Sequence, residues 1–282
     1  MKTKTYLLIL SCLISVYGLA QSVEKIKGNK NVTTLITEIN TFNRLVIGDD
    51  FKINLKQGKT PSVKIVTDDN LHEVVEFKVI NGSLNFIKSK RITSRKKMEI
   101  TVIFSDSLNI IELKEDAELT SSNTIKLNHL ILRAKESSEA YLTVEAETFQ
   151  YIGTGKTKAE LNISTNIDVT IDLSDNSNLK AVIGALDIKI NMLQRAYAKI
   201  EGHSKSLTVS TDNSTVLKAN KLATNSCVLI TEGRADVHVK VKENLIIEGS
   251  GTTETYIYGN PKMELVRFED EAILRKKIMS KQ

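Results

Sequence analysis

From residue 108 onward, apolar residues recur in pairs two positions apart. Leu108/Ile110, Leu130/Leu132, Phe149/Tyr151, Ile167/Val169, Leu186/Ile188, Leu207/Val209, Cys227/Leu229, Leu245/Ile247 and Met263/Leu265 begin 18 to 22 residues apart. A second series trails the first by 7 to 10 residues: Ala117/Leu119, Ala140/Leu142, Ala159/Leu161, Ser177/Leu179, Ala196/Ala198, Ser214/Val216, Ala235/Val237, Glu254/Tyr256 and Ala272/Leu274. Residues two apart in a strand share a face. Each unit of about nineteen residues thus offers two short strands with inward apolar pairs. No 3.6-residue periodicity fills the gaps, so crossover helices are absent from the pattern. Such a unit cannot bury its own face and must stack on copies of itself. The expected fold is all-β, a β-solenoid (parallel β-helix) of about nine short coils. An eight-strand sandwich is the alternative, and the in-register return of both series favours the solenoid.

Residues 42–107 read differently. Short alternating runs ("RLVIG", "FKINLKQG", "SVKIVTD", "VEFKVI", "SLNFIK", "MEITVIF") surround Asn81-Gly82, the preferred chemistry of a two-residue hairpin. This segment is expected to be a strand-rich, partly antiparallel cap on one end of the solenoid 108–275. Residues 21–41 are expected to be a linker. A basic tail, 276–282, is expected to blunt the other end.

The first twenty residues, "MKTKTYLLILSCLISVYGLA", have a basic start, an apolar run and small residues at Gly18 and Ala20. This is the pattern of a secretory signal cleaved after Ala20. A lipoprotein anchored at Cys12 is the less favoured alternative. No later stretch is apolar enough to cross a bilayer. Removing Lys2 and Lys4 takes Lys+Arg from 39 to 37 against 34 acids, a net charge of +3. So mild a charge, without interleaved aromatics, gives no case for nucleic acid. The mature chain keeps one cysteine, Cys227, in an inward column, where it reads as a small buried hydrophobe.

"QYIGTGKTKAE" at 150–160 contains the G-K-T of a phosphate-binding loop. The motif needs a glycine at position 150 and a following helix. Gln150 stands there, and an alternating strand follows. Gly153 to Thr157 falls where other units carry "KESS", "SDNS", "TDNS" and "TEGR", so it reads as a turn. "HEVVE" at His72–Glu76 lacks the second histidine of a zinc-protease helix, in a strand-like context. His72, His129, His203 and His238 show no ligand spacing. No cofactor is implied. The densest charge is "KSKRITSRKK", with Lys88, Lys90, Arg91, Arg95, Lys96 and Lys97 and no acid. It reads as a solvated loop or as a contact with an anionic surface such as phosphate-bearing lipid or acidic polysaccharide.

The opening "FNRLVIGDDFKINLKQGKTPSVKIVTDDNLHEVVEFKVINGSLNFI", the ladder of short units and the closing "YIYGNPKMEL" resemble the bacterial head GIN domain family of adhesins, frequent in exported proteins of the Bacteroidota. The resemblance spans about residues 42–275 and is most specific at Tyr258-Gly259-Asn260-Pro261. Of the family's Gly-Ser-Gly turns only Gly249-Ser250-Gly251 is intact. The resemblance implies a right-handed parallel β-helix and no catalytic residues. The function expected is a non-catalytic binding or adhesion module, exported to the periplasm, outer surface or medium. Its partner is unidentified, with envelope glycan or protein the candidates. The runner-up is a carbohydrate-active β-helix enzyme, a polysaccharide lyase or hydrolase, using Asp168, Asp187 and Lys189. A purely structural envelope protein is the third reading.

Overall fold

The computed structural model describes residues 24–278. The expected signal segment, Cys12 and the last four residues lie outside the described residues. β1 (Lys25–Lys27) and β2 (Val32–Glu38) open the chain within the stretch expected as a linker. They are followed by β3 (Arg44–Ile47), β4 (Lys52–Gln57), β5 (Ser62–Asp68), a 3-10 turn at Asp69–Val74, β6 (Val75–Ile80), β7 (Ser83–Lys88), β8 (Arg91–Ser94) and β9 (Met98–Phe104). Then come β10 (Ile110–Leu113), β11 (Glu118–Ser121), β12 (Ile125–Ala134), β13 (Glu139–Gly153), β14 (Lys158–Leu173), β15 (Asn178–Met192), β16 (Tyr197–Thr211), β17 (Val216–Thr231), β18 (Asp236–Gly249), β19 (Glu254–Tyr258), β20 (Lys262–Phe268) and β21 (Ile273–Lys277).

The chain is a β-solenoid of about nine turns. Successive coils pair in parallel and in register. Leu142 lies beside Leu161, Leu161 beside Ala181, and Ala181 beside Ile200. Each coil has two legs whose inward rows form one core. Tyr151, Phe149 and the Leu, Ile and Val rows around them are buried. At about 1.5–3 kcal/mol per buried apolar side chain, these rows drive the stacking.

The two legs of a coil are not separate strands. β13 to β18 run 14 to 16 residues and bend between legs without interruption. The parity of burial slips at the bend, where two outward residues stand together. Ile167 and Leu186, expected inward, are therefore exposed, and the inward rows are Val169/Ile171 and Ile188/Ile190. In the first coil Ile111 and Leu113 are buried in place of Ile110. Likewise Thr215/Leu217 and Thr253/Thr255 face inward in place of Ser214/Val216 and Glu254/Tyr256. Apolarity alone mis-set the frame there, because the inward residues at a tight turn must be small before they must be apolar. Ala117, Ser138, Thr157, Ser177, Ala196, Thr215, Ala235 and Thr253, all buried, form that row.

Coil stacking begins before residue 108. β3 and β4 pair in parallel with β10 and β11, Leu45 beside Ile111 and Ile53 beside Leu119. Beyond them lies a mixed cap. β7 continues one leg in parallel and β9 the other. β5 is antiparallel to β9, and β2 antiparallel to β5. β6 and β7 form the expected hairpin, with positive φ at Asn81 (50°) and Gly82 (76°). At the opposite end every residue of β20 is exposed, and no described element stacks on it. β21 includes Lys276 and Lys277, so the start of the expected basic tail is part of the last coil.

Candidate functional site

The tight turns that close the coils share one backbone device. Asp49, Glu115, Glu136, Gly155, Asp175, Gln194, Asn213, Gly233, Gly251 and Asp270 all have positive φ. They stack in one row, one per coil. A side chain here costs roughly 1–2 kcal/mol in backbone strain. Where the residue is not glycine, its side chain often repays this by accepting the N–H of the turn below. Glu136 accepts from Glu115, Asp175 from Gly155 (2.9 Å), Gln194 from Asp175, and Asp270 from Gly251 (2.9 Å). Gly155 approaches its neighbour closely, since a Cβ there would lie 2.8 Å from the Glu136 carbonyl oxygen. Lys156 is exposed. The G-T-G-K-T run is therefore a coil turn.

One outward row on the second leg carries a different chemistry. In register order it reads Tyr141, Glu160, Lys180, Lys199, Lys218, His238, Tyr256 and Arg275. Its first half lines an open groove of about 530 Å³ with Val182 and Glu201. Tyr141 donates to Glu139 at 2.7 Å, and this bond pushes its hydroxyl pKa up to about 12. Lys180 donates to Glu160 at 2.9 Å, which raises the Lys180 pKa. At the other end His238 stacks on Tyr256 with ring centroids 4.4 Å apart. Burial, then the Lys218 ammonium 2.7 Å from its Nε2, lowers the His238 pKa. The Lys277 ammonium lies 5.1 Å from the Tyr256 ring centroid. Most members follow an inward residue of the second series; Lys218 instead follows Leu217, and Tyr256, expected inward, is itself in the outward row.

The basic run is divided by the fold. Lys88 ends β7, is largely covered, and lies 4.5 Å from the Phe51 ring centroid while pairing with Asp50. Burial lowers its pKa. Lys90 pairs with Glu24 at 2.8 Å and Lys97 with Glu99 at 2.9 Å. Arg91, Arg95 and Lys96 are exposed and make no ion pair among the described residues. The run is not a loop, since Arg91–Ser94 is a strand paired in parallel with β1. Lys88, Lys90, Arg91 and Arg95 line a groove of about 680 Å³ together with the acids Asp49, Asp50, Glu115 and Asp116.

Asp168 and Asp187 are register neighbours, with Lys189 two positions along the same strand. Ser206 donates to Asp187, and Asp187 and Lys189 are exposed. His72 lies on the 3-10 turn rather than a strand, 2.9 Å from the Thr33 hydroxyl. Glu76 is on β6. Among the described residues no group of three or more His, Cys, Asp or Glu side chains is placed to hold a metal ion. Cys227 is buried, and burial pushes its thiol pKa up to about 12. No described helix is long and apolar enough to cross a membrane.

A capped parallel solenoid with an outward aromatic and charged row defines a class of elongated β-helix protein. Within that class, the chain belongs to the family described as "putative auto-transporter adhesin, head GIN domain", which it matches over residues 41–181 and again over 154–261. Solved structures share the fold. A putative adhesin from Parabacteroides merdae ATCC 43184 is 17% identical with a TM-score of 0.59, over 90% of this chain and 99% of that one. A putative adhesin from Parabacteroides distasonis ATCC 8503 is 19% identical with a TM-score of 0.56, over 90% and 100%. A putative lipid binding protein from the same organism is 14% identical with a TM-score of 0.60, over 90% and 100%. No curated protein matches the sequence.

Proposed function

We propose that the chain is an exported, non-catalytic binding module of the cell envelope, with residues 1–20 as its cleaved signal. The partner is an envelope glycan or protein. The observation that carries this reading is the outward row from Tyr141 to Tyr256. It sets an aromatic ring at each end and charged groups between, about 4.8 Å apart from coil to coil. Partly exposed aromatic rings with exposed charged groups on a rigid scaffold are what recognition of a polar polymer requires. The family's description as adhesins, and the signal-like first twenty residues, support the location. The domain boundaries 42–107 and 108–275 are retained as a proposal for cap and binding body.

The test is a binding screen of the chain from Gln21 against envelope glycans and envelope protein extracts. Saturable binding weakened by Tyr141→Ala and Lys180→Ala supports the reading. No saturable binding to any component sinks it. The exposed cations Arg91, Arg95 and Lys96 are proposed as a second contact, with an anionic surface; unlike Lys88, Lys90 and Lys97 they make no ion pair among the described residues.

A further inference from the structure

We propose that the protein self-associates end to end, through its C-terminal coil, as a two-fold dimer. In all the coils before it, the inward residues are covered by the next coil. In the last coil Met263, Leu265 and Phe268 are in line with the inward rows, beside Leu245, Ile247 and Gly249, yet are 47%, 51% and 36% exposed. Among the described residues β20 and β21 each pair on one side only, with β18 and β19. Their other edges present free backbone donors and acceptors, which template a further strand.

The charges of this coil select a second copy as the occupant. β20 begins with Lys262, runs to the acidic turn Glu269-Asp270-Glu271, and β21 returns to Lys276 and Lys277. One side of the coil's end is thus acidic and the other basic. A two-fold axis perpendicular to the two legs pairs each leg with its own copy, antiparallel. That operation brings each acidic turn to the partner's lysine side. It also joins the two apolar surfaces and satisfies the free edges. The arrangement closes at two copies, because the other end of each rod is covered by the mixed cap β2, β5, β6, β7 and β9. The register irregularity in β20 between the partners of Ile247 and Glu248 limits how far the new pairing extends.

The experiment is sedimentation velocity on the chain from Gln21 across the micromolar range. The expected result is a monomer–dimer equilibrium. Leu265→Lys is expected to weaken it at least about tenfold while leaving the thermal midpoint almost unchanged, since the side chain is half exposed in the monomer. Glu271→Lys and Lys276→Glu are each expected to weaken association, and the double variant to recover it, because their signs are exchanged together across the two-fold axis. A monomer at all concentrations overturns the proposal. So does a dimer indifferent to Leu265→Lys, which places the contact elsewhere. Loss of glycan or extract binding in the screen above leaves this result unaffected, and the two readings fail separately.

Discussion

Asp175 Oδ2 accepts the backbone N–H of Gly155 at 2.9 Å. The Gly155 carbonyl in turn accepts the N–H of Asn176, and the Lys156 N–H is donated to the Glu136 carbonyl. The amides that a phosphate cradle would offer are already used to stack one turn on the next. This makes the left-handed turn row a stabilising element in its own right.

Replacement of Asp175 should therefore separate the two terms. Asp175→Ala loses the bond to Gly155 and keeps a side chain at φ 60°. Asp175→Gly loses the same bond and relieves the strain. Alanine is expected to destabilise by about 1–3 kcal/mol, and glycine by about 1 kcal/mol less. Urea unfolding midpoints check the order; glycine equal to or worse than alanine would show that strain plays no part.

Glu112 is a buried acid on the first leg. Burial alone would raise its pKa, but hydrogen bonds from Arg44 and Lys114, with the Lys135 charge nearby, hold it below the ordinary value. A folded pKa lower than the unfolded one gives stability that is present above about pH 4.5 and lost as pH falls through the folded value. Glu112→Gln is expected to be less stable at pH 7, by about 1–3 kcal/mol, with the gap closing on acidification. Thermal midpoints of both proteins between neutral and acidic pH test this, and a gap that widens at low pH would refute it.

Cys227 is buried, with its pKa up to about 12, so the thiolate that reacts with alkylating reagents is scarce in the folded state. Labelling by a thiol reagent is expected only when the chain opens. Its rate should rise with urea along the unfolding transition. Prompt labelling in native buffer would contradict the burial.

The basic run is expected to split by residue. Arg91→Gln, Arg95→Gln and Lys96→Gln together should weaken sedimentation with anionic vesicles, without moving the unfolding midpoint. Binding of the unaltered chain should fall with salt, as exposed charges require. Lys88→Met is expected to act on stability, because Lys88 joins Asp50 and Phe51. Equal vesicle binding by the triple variant would remove the contact from consideration.

Much of the architecture was legible from spacing alone. Paired apolar residues every nineteen or so positions can be buried only by stacking, and Asn81-Gly82 announced its hairpin. The frame errors at Ile167 and Leu186 have one cause: a strand that bends through a corner loses its two-residue parity, and parity was the only ruler available. The error at Val216 has another, since the tight turn before β17 takes the small Thr215 inward. The division of the basic run was also hidden. Asp50, Glu24 and Phe51 are distant in sequence from Lys88 and Lys90, and only the cap's folding brings them near.

By itself, then, the sequence determined the class of fold, the hairpin at Asn81-Gly82, the burial of Cys227 and the turn identity of "GTGKT". All of these follow from local composition and periodic burial. The tertiary structure decided the outward row from Tyr141 to Arg275, the left-handed turn ladder with its side-chain bonds, and the bare last coil. These depend on which residue lies beside which in the neighbouring coil. That register comes from the packing of whole coils against one another, and no single repeat contains it.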